Sequence, residues 1–196
     1  MIVIGITGGI GSGKSTLLSY FRQMDGACVV EADSLAHRLM QPGEGAYERI
    51  VDCFGEDILD AEGAIDREKL GKVVYTAPEA LSKLNGIVHP AVKEYILRDI
   101  ELHREKGTEY YVIEAALLIE DGYRAICDTL WYVYTEREER IRRLIAGRGG
   151  DREKWERVIA NQSSEEYYRE NCDVVIDNGK DAEWMEVQVK KALEHF

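Results

Sequence analysis

Cysteine is scarce and scattered. The 4 cysteines, Cys28, Cys53, Cys127 and Cys172, form no C-x-x-C pair. That spacing offers neither a zinc site nor a disulfide framework, and reduced thiols in a cytosolic setting are the expectation. Basic residues are outnumbered, 25 Lys and Arg against 37 Asp and Glu, for a formal net charge of −12. Such a surface repels phosphate backbones and anionic lipid, so nucleic acid and membranes are not expected partners, and small molecules are. No apolar run approaches the roughly 18 residues of a membrane span, and the first residues lack the basic region and apolar stretch of a signal peptide, so a cytoplasmic location is expected. Prolines number only 3, and no linker, internal repeat or low-complexity tract divides the 196 residues. That length suits one domain of ordinary size.

What the chain does have is a concentration of glycine near its start. "GGIGSGKST" (Gly8 to Thr16) fits G-x-x-x-x-G-K-[ST] through Gly8, Gly13, Lys14 and Ser15. The apolar, β-branched run "IVIGI" (Ile2 to Ile6) precedes it as a buried parallel strand would, and Leu17, Leu18, Phe21 and Met24 follow at helical spacing. Strand, glycine loop and helix is the order that phosphate binding demands, because glycines bring amides close to the oxygens and the helix presents its positive end. The expected ligand is a nucleoside triphosphate with Mg²⁺. It is held by Gly9, Gly11, Ser12, Gly13, Lys14, Ser15 and Thr16, with Lys14 spanning the terminal phosphates and the Ser15 hydroxyl on the metal.

Four more short apolar runs read as strands: "ACVV" (27–30), "YYVIEA" (110–115), "LWYVY" (130–134) and "DVVI" (173–176). Helical patterns separate them, which predicts an α/β fold with a P-loop-type parallel sheet of about five strands. Ligands then bind beyond the strands' carboxyl ends, where Gly8 to Ser15, Asp33, Glu114 and Glu136 fall. The gap of about 80 residues between the second and third strands is too long for a loop. It predicts helices over 33–40, 46–54, from Asp66 as N-cap, over "APEALSKLNGIV", and a separate long helix opened by Pro90. The expected single domain therefore comprises a core (about 1–35, 108–146 and 172–196), a helical insertion (about 36–107) and a small helical lid (about 147–171) that closes over a bound nucleotide.

A switch GTPase needs N-K-x-D and D-x-x-G; the nearest runs, "NGKD" (178–181) and "DAEG" (60–63), are ordinary turn sequences. Beyond the glycine loop, the ordered segments "VVEADSLAHRL" (29–39), "FGEDIL" (54–59), "GAIDREKL" (63–70), "LNGIVHP" (84–90), "LLIE" (117–120), "ANQ" (160–162) and "CDVVIDNG" (172–179) resemble those of the dephospho-coenzyme A kinases over nearly the whole chain. The run "EAALLIE" departs from that family's usual pattern, with Ala116 in place of proline and Glu114 as the strand-end acid, and Arg143 and Arg148 stand one residue farther apart than is usual.

The resemblance implies ATP-dependent phosphorylation of the ribose 3′-hydroxyl of dephospho-CoA, with Lys14 and Asp33 catalytic and Asp33 accepting the hydroxyl proton. The sequence position of Asp33 also suits a helix N-cap. The resemblance also implies acceptor contacts from Thr7, Asp33, Arg67, His89, Glu114, Leu117 and Arg143, and adenine-side contacts from Asn178 and Gly179. Glu136, Glu138 and Glu139 each precede an arginine by four residues, so i,i+4 pairs are expected to occupy Arg140, Arg142 and Arg143. Arg148, with Leu144 four before it, is left for an ATP phosphate. The alternatives are a kinase of the same fold for another nucleoside, nucleotide or pantetheine-like acceptor, or a non-catalytic ATP-binding regulator, which would have no need of a base at Asp33.

Overall fold

β-Branched residues at Ile2, Val3, Ile4 and Ile6 favour extended backbone, and the strand they form, β1 (Ile2–Thr7), is buried from Val3 onward. In the computed structural model, which describes residues 1–196, β1 is the middle of a five-stranded parallel sheet. β3 (Tyr110–Glu114) pairs with it on one side and β4 (Thr129–Tyr134) on the other, so that Ile6 lies opposite both Glu114 and Trp131. β5 (Val174–Asp177) continues from β4, and with β2 (Ala27–Glu31) the order is β2-β3-β1-β4-β5. All five predicted strands are present. Their apolar runs stood out in the sequence because strands covered on both faces lose the polar half of the alternation.

The chain divides into two compact units. The first comprises Met1–Val30 and His103–Phe196, the second Glu31–Leu102. In the first, helix α1 (Lys14–Arg22) buries Leu17, Leu18 and Phe21, and the C-terminal α9 (Ala182–Leu193) buries Met185 and Val189. These side chains form one core with Ile4, Ile6, Val112, Trp131, Val133 and Ile176. The rings of Phe21 and Trp131 lie 5.8 Å apart, and burying each large side chain contributes about 1.5–3 kcal/mol. Tyr132 stacks on Tyr168 at 4.8 Å, docking α8 (Glu165–Asn171) on the sheet. Burial pushes the Tyr132 phenol, and the Cys127 and Cys172 thiols, up to about 12.

The second unit is helical: α2 (Ala32–Leu39), α3 (Tyr47–Phe54), α4 (Arg67–Thr76) and most of α5 (Pro78–Glu105). Asp66 caps α4 as its sequence position predicts, accepting from the Glu68 and Lys69 amides. The two helices expected to meet at Pro90 are instead one helix of 28 residues with Pro90 inside it. An internal proline costs about 3 kcal/mol, and burial of Val88, Ala91, Val92, Ile96 and Ile100 on either side of it holds the helix together. No helix is long and apolar enough to cross a membrane.

Candidate active site

Residues Gly8–Gly13 leave the carboxyl end of β1 and enter α1 through Gly13, whose φ of 85° is left-handed and which offers no side-chain cap. The first amides of α1 are therefore claimed by no capping group, the condition for binding an anion there. A Cβ at Gly13 would stand 1.9 Å from Asn178 Nδ2, so the position needs glycine twice over, for its backbone angle and for the neighbour pressed against it. Lys14 Nζ donates to the Gly8 carbonyl at 2.8 Å and lies 3.6 Å from Glu114 Oε1, which ends β3 and is buried. Ser15 and Thr16 are exposed in the first turn of α1.

The loop is braced from distant parts of the chain. The Ser12 carbonyl accepts from Thr135 Oγ1 and from Asn178 Nδ2, both at 2.9 Å. The Asn178 amide N–H donates to the Tyr134 carbonyl, and its own carbonyl accepts from Arg143 Nη2 at 2.9 Å. On the other side Arg140 Nε donates to the Ile10 carbonyl at 2.8 Å, while Gln162 Oε1 accepts from the Ile10 amide and from Arg140 Nη2, each at 2.9 Å. The hydroxyls of Thr7 and Ser12 are buried without a hydrogen-bond partner. Such groups are costly to strand, and together with an ammonium, an exposed Ser15 hydroxyl and uncapped amides they fit a polyanion carried with a divalent cation.

The structure thus brings Gly9, Gly11, Ser12, Gly13, Lys14, Ser15, Thr16, Thr7, Glu114, Arg143 and Asn178 to the loop end of the first unit. Gly179 follows Asn178 and closes a turn by donating its N–H to Asp177 Oδ1 at 2.8 Å. Leu117 lies exposed after β3, and Arg148 is exposed at the carboxyl end of α6 (Arg137–Arg148). Asp33, Arg67 and His89 belong to the second unit. Asp33 does not cap α2. The cap position is Glu31, and Asp33 stands exposed one residue inside the first turn, because the helix starts at Ala32. Arg67 is the exposed first residue of α4, and His89 is interior to α5 rather than at a helix start.

The expected i,i+4 pairs of α6 are only partly formed. Arg143 does pair with Glu139 at 2.8 Å, but Arg142 also takes Glu139, at i,i+3, while Glu138 takes Arg152 at the start of α7 (Arg152–Ala160). The two guanidiniums, Arg142 first, hold the Glu139 carboxyl down at about 2. Arg140 turns from Glu136 toward the loop, where its helix face points, and desolvation there lowers its pKa. The sequence offered Arg140 only an i,i+4 pair with Glu136 and gave Gln162 and Thr135 no role. The one available signal was "ANQ", quoted as a family segment and given no task.

A family model described as dephospho-CoA kinase matches residues 2–183. Curated proteins named dephospho-CoA kinase from Geobacter sulfurreducens and Carboxydothermus hydrogenoformans are similar to this chain. The first is 41% identical over 192 residues, covering 97% of this chain and 96% of its own length. The second is 37% identical over 195 residues, covering 99% and 94%. A crystal structure from Thermus thermophilus, 32% identical, matches with a TM-score of 0.81 over 100% of this chain and 97% of its own. A shikimate kinase from Acinetobacter baumannii, 13% identical with a TM-score of 0.56, covers 100% of this chain and 94% of its own and shares the fold alone.

Proposed function

Because the chain belongs to the dephospho-CoA kinase family, we propose that it uses ATP to phosphorylate the ribose 3′-hydroxyl of dephospho-CoA, releasing coenzyme A and ADP. The observation that carries this reading is the continuity of the family match across residues 2–183, which takes in both the glycine loop and the helical segment in which the acceptor-side residues are expected.

Phosphoryl transfer leaves a protein little covalent work. It must align the γ-phosphoryl with the hydroxyl, screen growing charge and receive one proton. Gly9–Thr16 hold the triphosphate through backbone amides and hydroxyls, and Lys14, steadied by Gly8 and Glu114, meets the charge that develops as the bond to the β-phosphate oxygen breaks. Ser15 is the side chain that would hold Mg²⁺, which when bound would supply positive charge against the phosphates. As the hydroxyl oxygen bonds to phosphorus, its proton passes to the Asp33 carboxylate. Arg67, His89, Thr7, Glu114 and Leu117 are assigned to the acceptor, Arg148 and Gly179 to the nucleotide. Arg143 and Asn178 act through the loop they brace. The segment from about 147 to 171 is assigned as the lid.

The test is an acceptor panel: Mg-ATP with dephospho-CoA, adenosine, cytidylate, pantothenate or buffer alone, read by ADP release and product mass. Dephospho-CoA is expected to lead. A different acceptor winning clearly would replace this reading with another kinase of the same fold, and ATP binding without any transfer would favour a regulator.

A further inference from the structure

Ile10 is a loop residue gripped on both its backbone polar atoms by side chains. Its carbonyl accepts from Arg140 Nε at 2.8 Å, its N–H donates to Gln162 Oε1 at 2.9 Å, and Arg140 Nη2 closes the ring by donating to the same oxygen at 2.9 Å. The guanidinium also lies against Gly9, where an added Cβ would meet Arg140 Nη2 at 2.2 Å. Both of its acceptors are neutral, so a partly desolvated cation stands at the base of the loop with no carboxylate bonded to it. An arrangement that only stabilised the fold would gain by pairing that charge, since a desolvated ion without a counterion is expensive. Bonded to no carboxylate and set beside amides placed to bind an anion, it adds to their attraction for a triphosphate.

We infer that Arg140 and Gln162 are positioning residues for the phosphate loop, fixing the Gly9–Ile10 backbone in its binding geometry and setting affinity for the nucleoside triphosphate through it. Gln162 directly follows α7 and its cap residue Asn161, so the segment assigned as the lid reaches the loop by one side-chain oxygen. The inference rests on the reading that this loop binds ATP.

Two measurements on the full chain test it: amide hydrogen exchange of the peptide containing Gly8–Gly13 without nucleotide, and steady-state kinetics with ATP and dephospho-CoA varied separately. Gln162→Ala removes the shared acceptor. It is expected to speed loop exchange about tenfold and raise KM for ATP about tenfold, with KM for the acceptor and exchange in α9 within twofold of native. Gln162→Glu, which can still accept from both donors, should keep the loop protected. Native exchange and native KM for ATP in Gln162→Ala would overturn the inference, as would equal loosening of loop and α9, which marks a general loss of fold. If Gln162→Ala does not fold, Arg140→Lys decides by the same pair of values, because it keeps the charge and loses the fork. Failure of the native chain to bind ATP would overturn the functional reading instead, and loop exchange alone would then decide the bracing.

Discussion

The glycine loop and the helical segment 31–102 hold their polar side chains in opposite ways. Around the loop the partners are remote in sequence: Asn178 is 166 residues from the Ser12 carbonyl it supports, and Gln162 is 152 from the Ile10 amide. In the helical segment Asp66 accepts from amides only two and three residues away, those of Glu68 and Lys69, and Asp33 and Arg67 are exposed on first turns. The difference teaches where preorganisation has been built. The glycine-loop end is assembled by the fold, at the cost of buried hydroxyls and a desolvated arginine. The carboxylate of Asp33 stands exposed in the first turn of α2.

The largest effects should come from the two residues proposed to act on the reacting groups, one in each region. Lys14→Ala is expected to lower kcat by about 10³-fold, because the charge it meets grows toward the transition state. Turnover near native in a folded variant would dissolve the assignment of the loop. Asp33→Asn comes next, with a loss of about 10²- to 10³-fold in kcat, little change in either KM, and an unmoved melting temperature, since no capping bond is at stake. Near-native turnover there would mean that the proton leaves to water or phosphate.

Smaller changes test the comparison itself. Asn178→Ala leaves the Ser12 carbonyl with only one of its two side-chain donors, Thr135, and should cost about tenfold in kcat/KM for ATP, more than its effect on melting accounts for. Asp66→Ala is the converse: loss of a cap should cost about 1 kcal/mol of stability and leave kcat within twofold. If Asn178→Ala behaves like Asp66→Ala, the loop is merely packed and the contrast between the regions falls.

The sequence made legible whatever is written in consecutive residues. The five strands, the glycine loop and the Asp66 cap are local patterns, and each stands where its pattern placed it. Pro90 misled because the usual meaning of proline, a helix start, was outweighed by apolar burial on both sides of it, which is a tertiary fact. Arg140 misled for a related reason. A glutamate four residues earlier offered a sufficient local partner, while the partners it takes lie 130 and 22 residues away. Bracing of this kind leaves no periodic trace.

The 3 tryptophans of the chain, Trp131, Trp155 and Trp184, all lie outside residues 31–102. Trp131 is sealed in the sheet core beside Phe21, Trp155 is nearly buried, and only Trp184 is substantially exposed. Indole emission is therefore a private signal of the first unit, while the second contributes only the weaker tyrosine light of Tyr47, Tyr75 and Tyr95 and much of the helical ellipticity. An unfolding curve followed by tryptophan fluorescence is blind to half of the question. Followed beside circular dichroism at 222 nm, it becomes a test of cooperativity: coincident curves mean that the two units melt as one, and separated curves mean that the helical segment has a stability of its own.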